Sequence, residues 1–330
     1  QANRAFCKSL GIPQEEIIRY RLSLVRGMHQ VRVTDVDNRF TSTLQEIALA
    51  DRSIESEARF TTTPAGFSFS EEHTPYGPSA PIEKLEIEEQ KWNRDLERVY
   101  YDTDLAAADA VTELHQRNLP FSQIQKAFSA GVMGGKRRRR LVPTRWSITA
   151  CDTIIGNRLL AGVKRSSVID TWRVHEFSSL HNRYAVILMP TPWQYEWTEA
   201  FVHVMGQEEL VFSDHEEHKP KTAYSPLGGC YYSCKMAVLE ELARQRRQAG
   251  AIVLREAGSG YVPLGVFNVR ENVRNAMKQP AREFSDPQEV RSYLADSFTL
   301  PLTRFEEAGV LMRTFGKKLQ GGKRNYPVKG

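Results

Sequence analysis

From Lys136 to Arg140 the chain reads Lys-Arg-Arg-Arg-Arg, with Gly134 and Gly135 just before it. Guanidinium groups pair with phosphate through planar, forked hydrogen bonds, and four in a row exceed what internal carboxylates can neutralise. The run reads either as a solvated charged loop or as the contact for an external polyanion. Its neighbours favour the polyanion. Glycine permits close backbone approach, and Arg145 with Trp146 forms a stacking pair suited to bases or sugars. Thr144, Ser147 and Thr149 add hydroxyls of the kind that bond phosphate, although such residues serve equally as turns and caps. Arg255 is a further phosphate-contact candidate.

Cutting phosphate, as opposed to holding it, calls for carboxylates near the phosphate-binding groups, commonly with a divalent metal. Asp152 follows the hydroxyl-rich segment directly and is the first acid to consider, with Asp214 and Glu256 beside it as catalytic candidates. A helix N-terminal position explains Asp152 as well. In "SDHEEH" (Ser213–His218) two histidines, His215 and His218, stand among three carboxylates, which reads either as ligands for a divalent ion or as solvated charge. Cys230 and Cys234 are four apart, with no third or fourth thiol nearby, so core packing is the simpler reading. Arg255, Glu256, Arg270 and Glu271 fall at the ends of two expected strands, where an ion-pair network serves structure as readily as catalysis. "GVMGGK" lacks Walker spacing and the following Ser or Thr, so no P-loop is present.

These residues need elements to position them. Alternation over residues 17–36 (Ile18, Tyr20, Leu22, Leu24, Val31, Val33) predicts two half-buried strands turning near Gly27. "EIALADRSIESEARF" (Glu46–Phe60) fits strand or helix. Helices are expected over Asp104–Gln116, Ser122–Ala130, Asp152–Val163 and Tyr231–Gln248. Gly131, Gly134 and Gly135 end the second of these and deliver the chain to the basic run. Tyr184–Leu188 is nearly continuous apolar and predicts a central buried strand. "AIVLRE" (Ala251–Glu256) and "YVPLGVFNVRE" (Tyr261–Glu271) predict strands paired across a turn. Asp286-Pro287-Gln288-Glu289 carries an N-cap, a first-turn proline and a capping carboxylate, and Thr303 with Glu306 repeats the pattern. The fold class is α+β, mixed sheets with packed helices, in two subdomains. The expected division is an N-terminal segment 1–16, domains 17–208 and 209–315, and a basic tail 316–330.

At 330 residues, 41% hydrophobic and 26% charged, the chain has the composition of a globular protein with a sizeable core. Net charge is +5 with a sequence pI near 9.0, so the positive character lies in local patches and favours an anionic partner. No apolar run reaches the ~18 residues of a membrane span, so no membrane partner is expected. Four scattered cysteines point to a reducing, cytoplasmic setting. The opening has no signal-peptide layout and reads as a chain entered partway.

"RLVPTRWSITACDTIIG" resembles the signature segment of the archaeal Nre family, regarded as DNA repair proteins. "EIALADRSIESE", "HTPYGPSAPIEKL", "RYAVILMPTPWQYEWTEAF", "GGCYYSCKMAVLEELARQRRQAGAIVLRE" and "PLGVFNVRENVRNAM" agree in the same order, from about Ile17 to Phe305. The resemblance implies a role in DNA damage repair. For many members it also implies a C-terminal motif that docks the sliding clamp and an N-terminal cysteine cluster taken to bind zinc. This sequence departs from both. Cys7 stands without a CxxC partner, which puts zinc there in doubt. In "GVLMRTF" (Gly309–Phe315) Met312 and Phe315 are well placed, but Gly309 stands where the docking motif has Gln.

Three functions follow for testing. The chain is a repair factor that binds DNA through Lys136–Arg140, Arg145 and Trp146. Alternatively it is a metal-dependent enzyme on nucleic acid or nucleotides, or an adaptor that docks partners such as the sliding clamp.

Overall fold

The computed structural model describes residues 14–316 apart from 71, 72, 205, 220 and 262. They fall into two units, each with its own core. The first takes the chain up to Arg165, then 228–245 and 262–274; the second takes 166–227, 246–261 and the remainder from 275. The architecture is α+β, as the composition of elements in the sequence implies.

The first unit opens with α1 (Gln14–Ser23) and a short β1 (Arg26–Met28), where two strands were expected. Tyr20 Oη donates to Glu16 four residues back and Ser23 Oγ to the Tyr20 carbonyl three back, spacings that fit a helical repeat. Then come α2 (Arg39–Leu49), β2 (Ser56–Phe60), a hairpin of β3 (Ser68–Ser70) and β4 (His73–Tyr76), and β5 (Ser79–Ile87). "EIALADRSIESEARF" is thus helix to Leu49 and strand from Ser56. β1 joins β5 in parallel and β2 joins it antiparallel.

The helices follow: α3 (Arg94–Tyr101), α4 (Ala107–Gln116), α5 (Phe121–Ser129) and the 20-residue α6 (Thr144–Val163). Returning segments add α7 (Gly229–Gln245) and α8 (Val266–Lys278). Asn93 caps α3 by accepting from the Asp95 and Leu96 amides, which leaves Leu96 and Val99 pointing into the core. Val111, Leu114, Ile124, Cys151, Ile155 and Met236 complete that core. Each large aliphatic buried there contributes roughly 1.5–3 kcal/mol. The helix expected from Asp152 begins eight residues earlier, so "TRWSIT" forms its first turns. α8 replaces the strand expected over Tyr261–Glu271. Its buried Val269, Val273, Ala276 and Met277 follow a helical period, which overrides the β-branched composition.

The second unit is built on a six-stranded mixed sheet. In chain order it holds β6 (Ser167–Val168), β7 (Trp172–Ser179), β8 (Asn182–Met189), β9 (Tyr195–Val202), β10 (Glu209–Glu216), β11 (Arg247–Gln248), β12 (Gly250–Ala257) and β13 (Arg282–Phe284). The large sheet runs β10-β9-β12-β8-β7-β13, with β12 parallel to β9 and every other pair antiparallel; β11 and β6 pair separately. The apolar run Tyr184–Leu188 lies in β8, inside the sheet as expected. α9 (Pro287–Leu294), α10 (Leu302–Ala308) and α11 (Arg313–Gly316) complete the unit. Val290, Leu294, Phe298, Phe305 and Met312 pack with the sheet's Ile187, Ala200, Ile252 and Leu254.

Asp286 caps α9, as the motif predicts, while Glu289 accepts from the Ser285 amide, one residue before the N-cap amide a capping box would use. The second capping pattern is not used: Pro301 holds the N-cap of α10, and Glu306 pairs with Arg291 instead. Two buried glutamates tie the following loops to the sheet. Glu196 accepts from the amides of Val310, Leu311 and Met312, and Glu256 accepts from those of Thr299 and Leu300.

Candidate nucleic-acid interface

The basic run begins where α5 ends. Gly131 turns the chain at φ +69, and a β-carbon there would stand 2.8 Å from the Arg140 carbonyl oxygen, so glycine admits both the turn and the close pass. Lys136–Arg138 form one 3₁₀ turn, fixed by the Lys136 amide donating to the Thr103 carbonyl at 3.1 Å. Past the run, Leu141 and Val142 donate to the carbonyls of Val33 and Ser129. The backbone is therefore pinned at both ends while its cations point outward.

The five cations divide into two kinds. Lys136, Arg137, Arg138 and Arg140 are exposed, and among the described residues none of them pairs with a carboxylate. Arg139 is half-buried. It donates to the carbonyls of Gly134 (2.9 Å) and Tyr100 (2.5 Å), and its guanidinium lies 4.9 Å from the Tyr100 ring centre. Arg139 fastens the run and its neighbours display charge.

Four residues on, α6 begins. Arg145 and Trp146 lie in its exposed first turn, with the Arg145 guanidinium 5.8 Å from the Trp146 ring; Trp146 is 60% exposed. Thr144 is exposed. Ser147 is buried and donates to the Thr144 carbonyl, and half-buried Thr149 donates to that of Arg145. Of the three hydroxyls, two are thus taken up within the helix.

Helices α7 and α8 sharpen the electrostatics of this end. Thr149 stands against Gly229, Asp152 bonds Ser233, and Gly156 lies against Met236, so α6 and α7 run parallel. Val266 abuts Gly229 and Arg270 reaches Asp152, which makes α8 parallel to both. Three helix N-termini therefore share one end, the end at which the basic run enters α6. Each adds roughly half a positive charge from its aligned peptides. The packing depends on Gly229, where a β-carbon would stand 2.6 Å from Thr149 Oγ1 and 2.8 Å from Val266. The glycines of "LGG" and "PLG" before two helices were the sequence signal for this convergence, and sequence reasoning missed it.

Asp152 is fully buried. It accepts from Arg270 Nη1 at 2.6 Å and from Ser233 Oγ, while the Arg270 guanidinium lies 3.9 Å from the Phe121 ring. Burial pushes its carboxyl up from the usual range, against the pull of Arg270 and Ser233. Glu271 bonds Arg270 and Arg274, and Arg274 forks onto both oxygens of Glu240 at 2.7 Å. Burial likewise pushes the Cys151 thiol up, away from nucleophilic character.

In the second unit, Arg255 is 2% exposed and donates to Glu199 (3.0 Å) and Asn182 (2.9 Å). Asp214 lies on β10, where a loop was expected, and takes Lys221 and Ser225. His215 is on the same strand, and His218 Nδ1 lies 3.0 Å from the Trp193 carbonyl. Glu256 spends both oxygens on backbone amides. The expected single network of Arg255, Glu256, Arg270 and Glu271 is instead two sets, one in β12 and one in α8, each with its own partners. Among the described residues no group of three or more His, Cys, Asp and Glu is placed to hold a metal ion. Cys234 is buried and Cys230 half-buried on α7. Cys7 and the tail from residue 317 lie outside the described residues. In "GVLMRTF", Met312 is fully buried and the loop is fastened by Glu196.

Residues 4–204 match the family model for the archaeal Nre N-terminal region and residues 216–320 the one for the archaeal Nre C-terminal region. The chain is 36% identical over 309 residues to DNA repair protein NreB of Archaeoglobus fulgidus, covering 92% of this chain and 78% of that one. It is 34% identical over 277 residues to DNA repair protein NreA of the same organism, covering 82% and 71%. It is 31% identical over 303 residues to DNA repair protein NreA of Haloferax volcanii, covering 86% and 72%. No solved structure matches. Among the described residues no helix is long and apolar enough to cross a membrane.

Proposed function

The chain belongs to the archaeal Nre family, and on that premise we propose that it is a cytoplasmic DNA repair factor that holds nucleic acid through Lys136, Arg137, Arg138, Arg140, Arg145 and Trp146. The repair role rests on the names its relatives carry. The phosphate contact rests on one observation: four of the run's five cations are held outward on a pinned backbone, with no carboxylate of the described residues to neutralise them. Three helix N-termini at the same end add to the attraction for anions. Trp146 offers a ring beside the phosphates, and bases stack on such rings without sequence preference.

The catalytic candidates support holding over cutting. Asp152, Asp214 and Glu256 each engage protein donors of their own. Docking of the sliding clamp through Gly309–Phe315 gains no support from a loop whose Met312 is buried. The test is retardation of labelled DNA by the purified chain, with and without Mg²⁺ or Mn²⁺, read also for cleavage. Retardation without cleavage is the expected result. Metal-dependent cleavage lost on Asp214→Ala would turn the interface into a substrate groove.

A further inference from the structure

A second feature adjoins the basic run, and its lining residues are not among those assigned to phosphate above. Before and along α3 a groove of about 400 Å³ is lined by Gln90, Lys91, Trp92, Arg94, Glu97 and Tyr101. Two of its lining rings are neighbours: Trp92 and Tyr101 have ring centres 6.2 Å apart at 30°, and Tyr100, outside the lining, stands edge-on to both, at 5.5 and 5.4 Å. Tyr101 is 66% exposed, so a ring face with no core to cover is presented to solvent. The groove and the run are joined directly. Arg139 bonds the Tyr100 carbonyl and lies over the Tyr100 ring, and the Lys136 amide bonds Thr103, two residues beyond Tyr101.

We propose that this groove takes an unpaired base of single-stranded DNA while Lys136, Arg137, Arg138 and Arg140 hold the phosphates beside it. The inference rests on the phosphate reading of the run and names the form of nucleic acid that reading leaves open. A flat ring stacks on Tyr101 and the Trp92 edge. Lys91 and Arg94 supply positive charge at the rim, matching the charge of the strand. Glu97 accepts hydrogen bonds and suits the amino group of a base, as carboxylates do toward cytosine N4. The volume falls within the ~300–1,000 Å³ of small-molecule sites. A duplex keeps its bases stacked and cannot fill such a groove without extruding one.

The experiment measures affinity of the full chain for a labelled single strand, for the same sequence as a blunt duplex, and for a strand with a run of abasic sites. The variants are Tyr101→Ala, Tyr101→Phe and the triple Arg137→Ser/Arg138→Ser/Arg140→Ser. Tyr101→Ala is expected to weaken single-strand binding about five- to a hundredfold, to leave the duplex within about twofold, and to be rescued by Tyr101→Phe. The abasic strand should lose a similar factor with the wild-type chain. An abasic strand bound as tightly as the normal one, or a Tyr101→Ala chain with unchanged single-strand affinity, overturns the proposal. The triple variant separates the two readings, because loss of phosphate contact weakens strand and duplex alike. If it weakens neither, the run is not the phosphate contact; if only Tyr101→Ala is silent, the run stands and the groove falls.

Discussion

Arg140 and Asp152 are twelve positions apart, and the two ends of that stretch treat charge in opposite ways. At one end Arg137, Arg138 and Arg140 stand in solvent with no carboxylate of the described residues against them. At the other, Asp152 is sealed in the core and meets Arg270 at 2.6 Å, with Ser233 on its second oxygen. An exposed cation stays hydrated and needs no internal partner, so its position is free to serve an external anion. A buried carboxylate keeps its charge only beside a compensating cation, and losing either partner strands the other. The same residue types, guanidinium and carboxylate, therefore serve architecture inside and, on the proposed function, recognition at the surface. Arg139 shows the boundary within the run itself.

The contrast is broken most forcefully from the inside. Arg270→Ala leaves Asp152 buried without its cation and should cost about 3–5 kcal/mol in a denaturant titration. A loss under 1 kcal/mol would mean that the pair is not what holds α8 against α6. Gly229→Ala forces a methyl against Thr149 and Val266 and should cost about 1–3 kcal/mol. If its stability matches wild type, the helix ends are less tightly joined than the distances indicate. Arg139→Ser should cost about 1 kcal/mol through its two carbonyl bonds, while Arg138→Ser stays within about 0.5 kcal/mol. Equal effects from the two would erase the division inside the run.

The smallest effect is a pH slope. Burial lowers the His115 pKa below its ordinary 6.5, chiefly against the pull of Glu240. Below that value the unfolded chain binds more protons there than the folded one, so this residue's contribution to stability is present above pH 6.5 and lost as pH falls. His115→Gln should flatten that part of the stability–pH curve, and an unchanged curve would refute the assignment.

The helices of Asp104–Gln116 and Ser122–Ala130, the buried strand at Tyr184–Leu188 and the cap at Asp286 were legible because each rests on local spacing. So was the basic run, whose excess of cations over nearby acids is itself a local fact. α1 and α8 were misread because alternating or β-branched apolar residues satisfy a two-residue period over short windows, and the longer helical period decides only with packing. The role of Asp152 was beyond local reading. Its partners lie 81 and 118 positions away, at Ser233 and Arg270, and only the parallel packing of α6, α7 and α8 brings them together. The groove at Trp92 and Tyr101 had a signal in "WNRDLERVYY", where a capped helix ends on two tyrosines, but the Trp92–Tyr101 contact depends on the fold.

The central claim is that the exposed cations hold phosphate. Its most direct test is the salt dependence of duplex DNA affinity for the wild-type chain and for Arg137→Ser/Arg138→Ser/Arg140→Ser. Each phosphate contact removed should flatten the slope of log K against log salt by about 0.9, with no change in folding stability. An unchanged slope from a fully folded triple variant would contradict the claim and move the interface elsewhere.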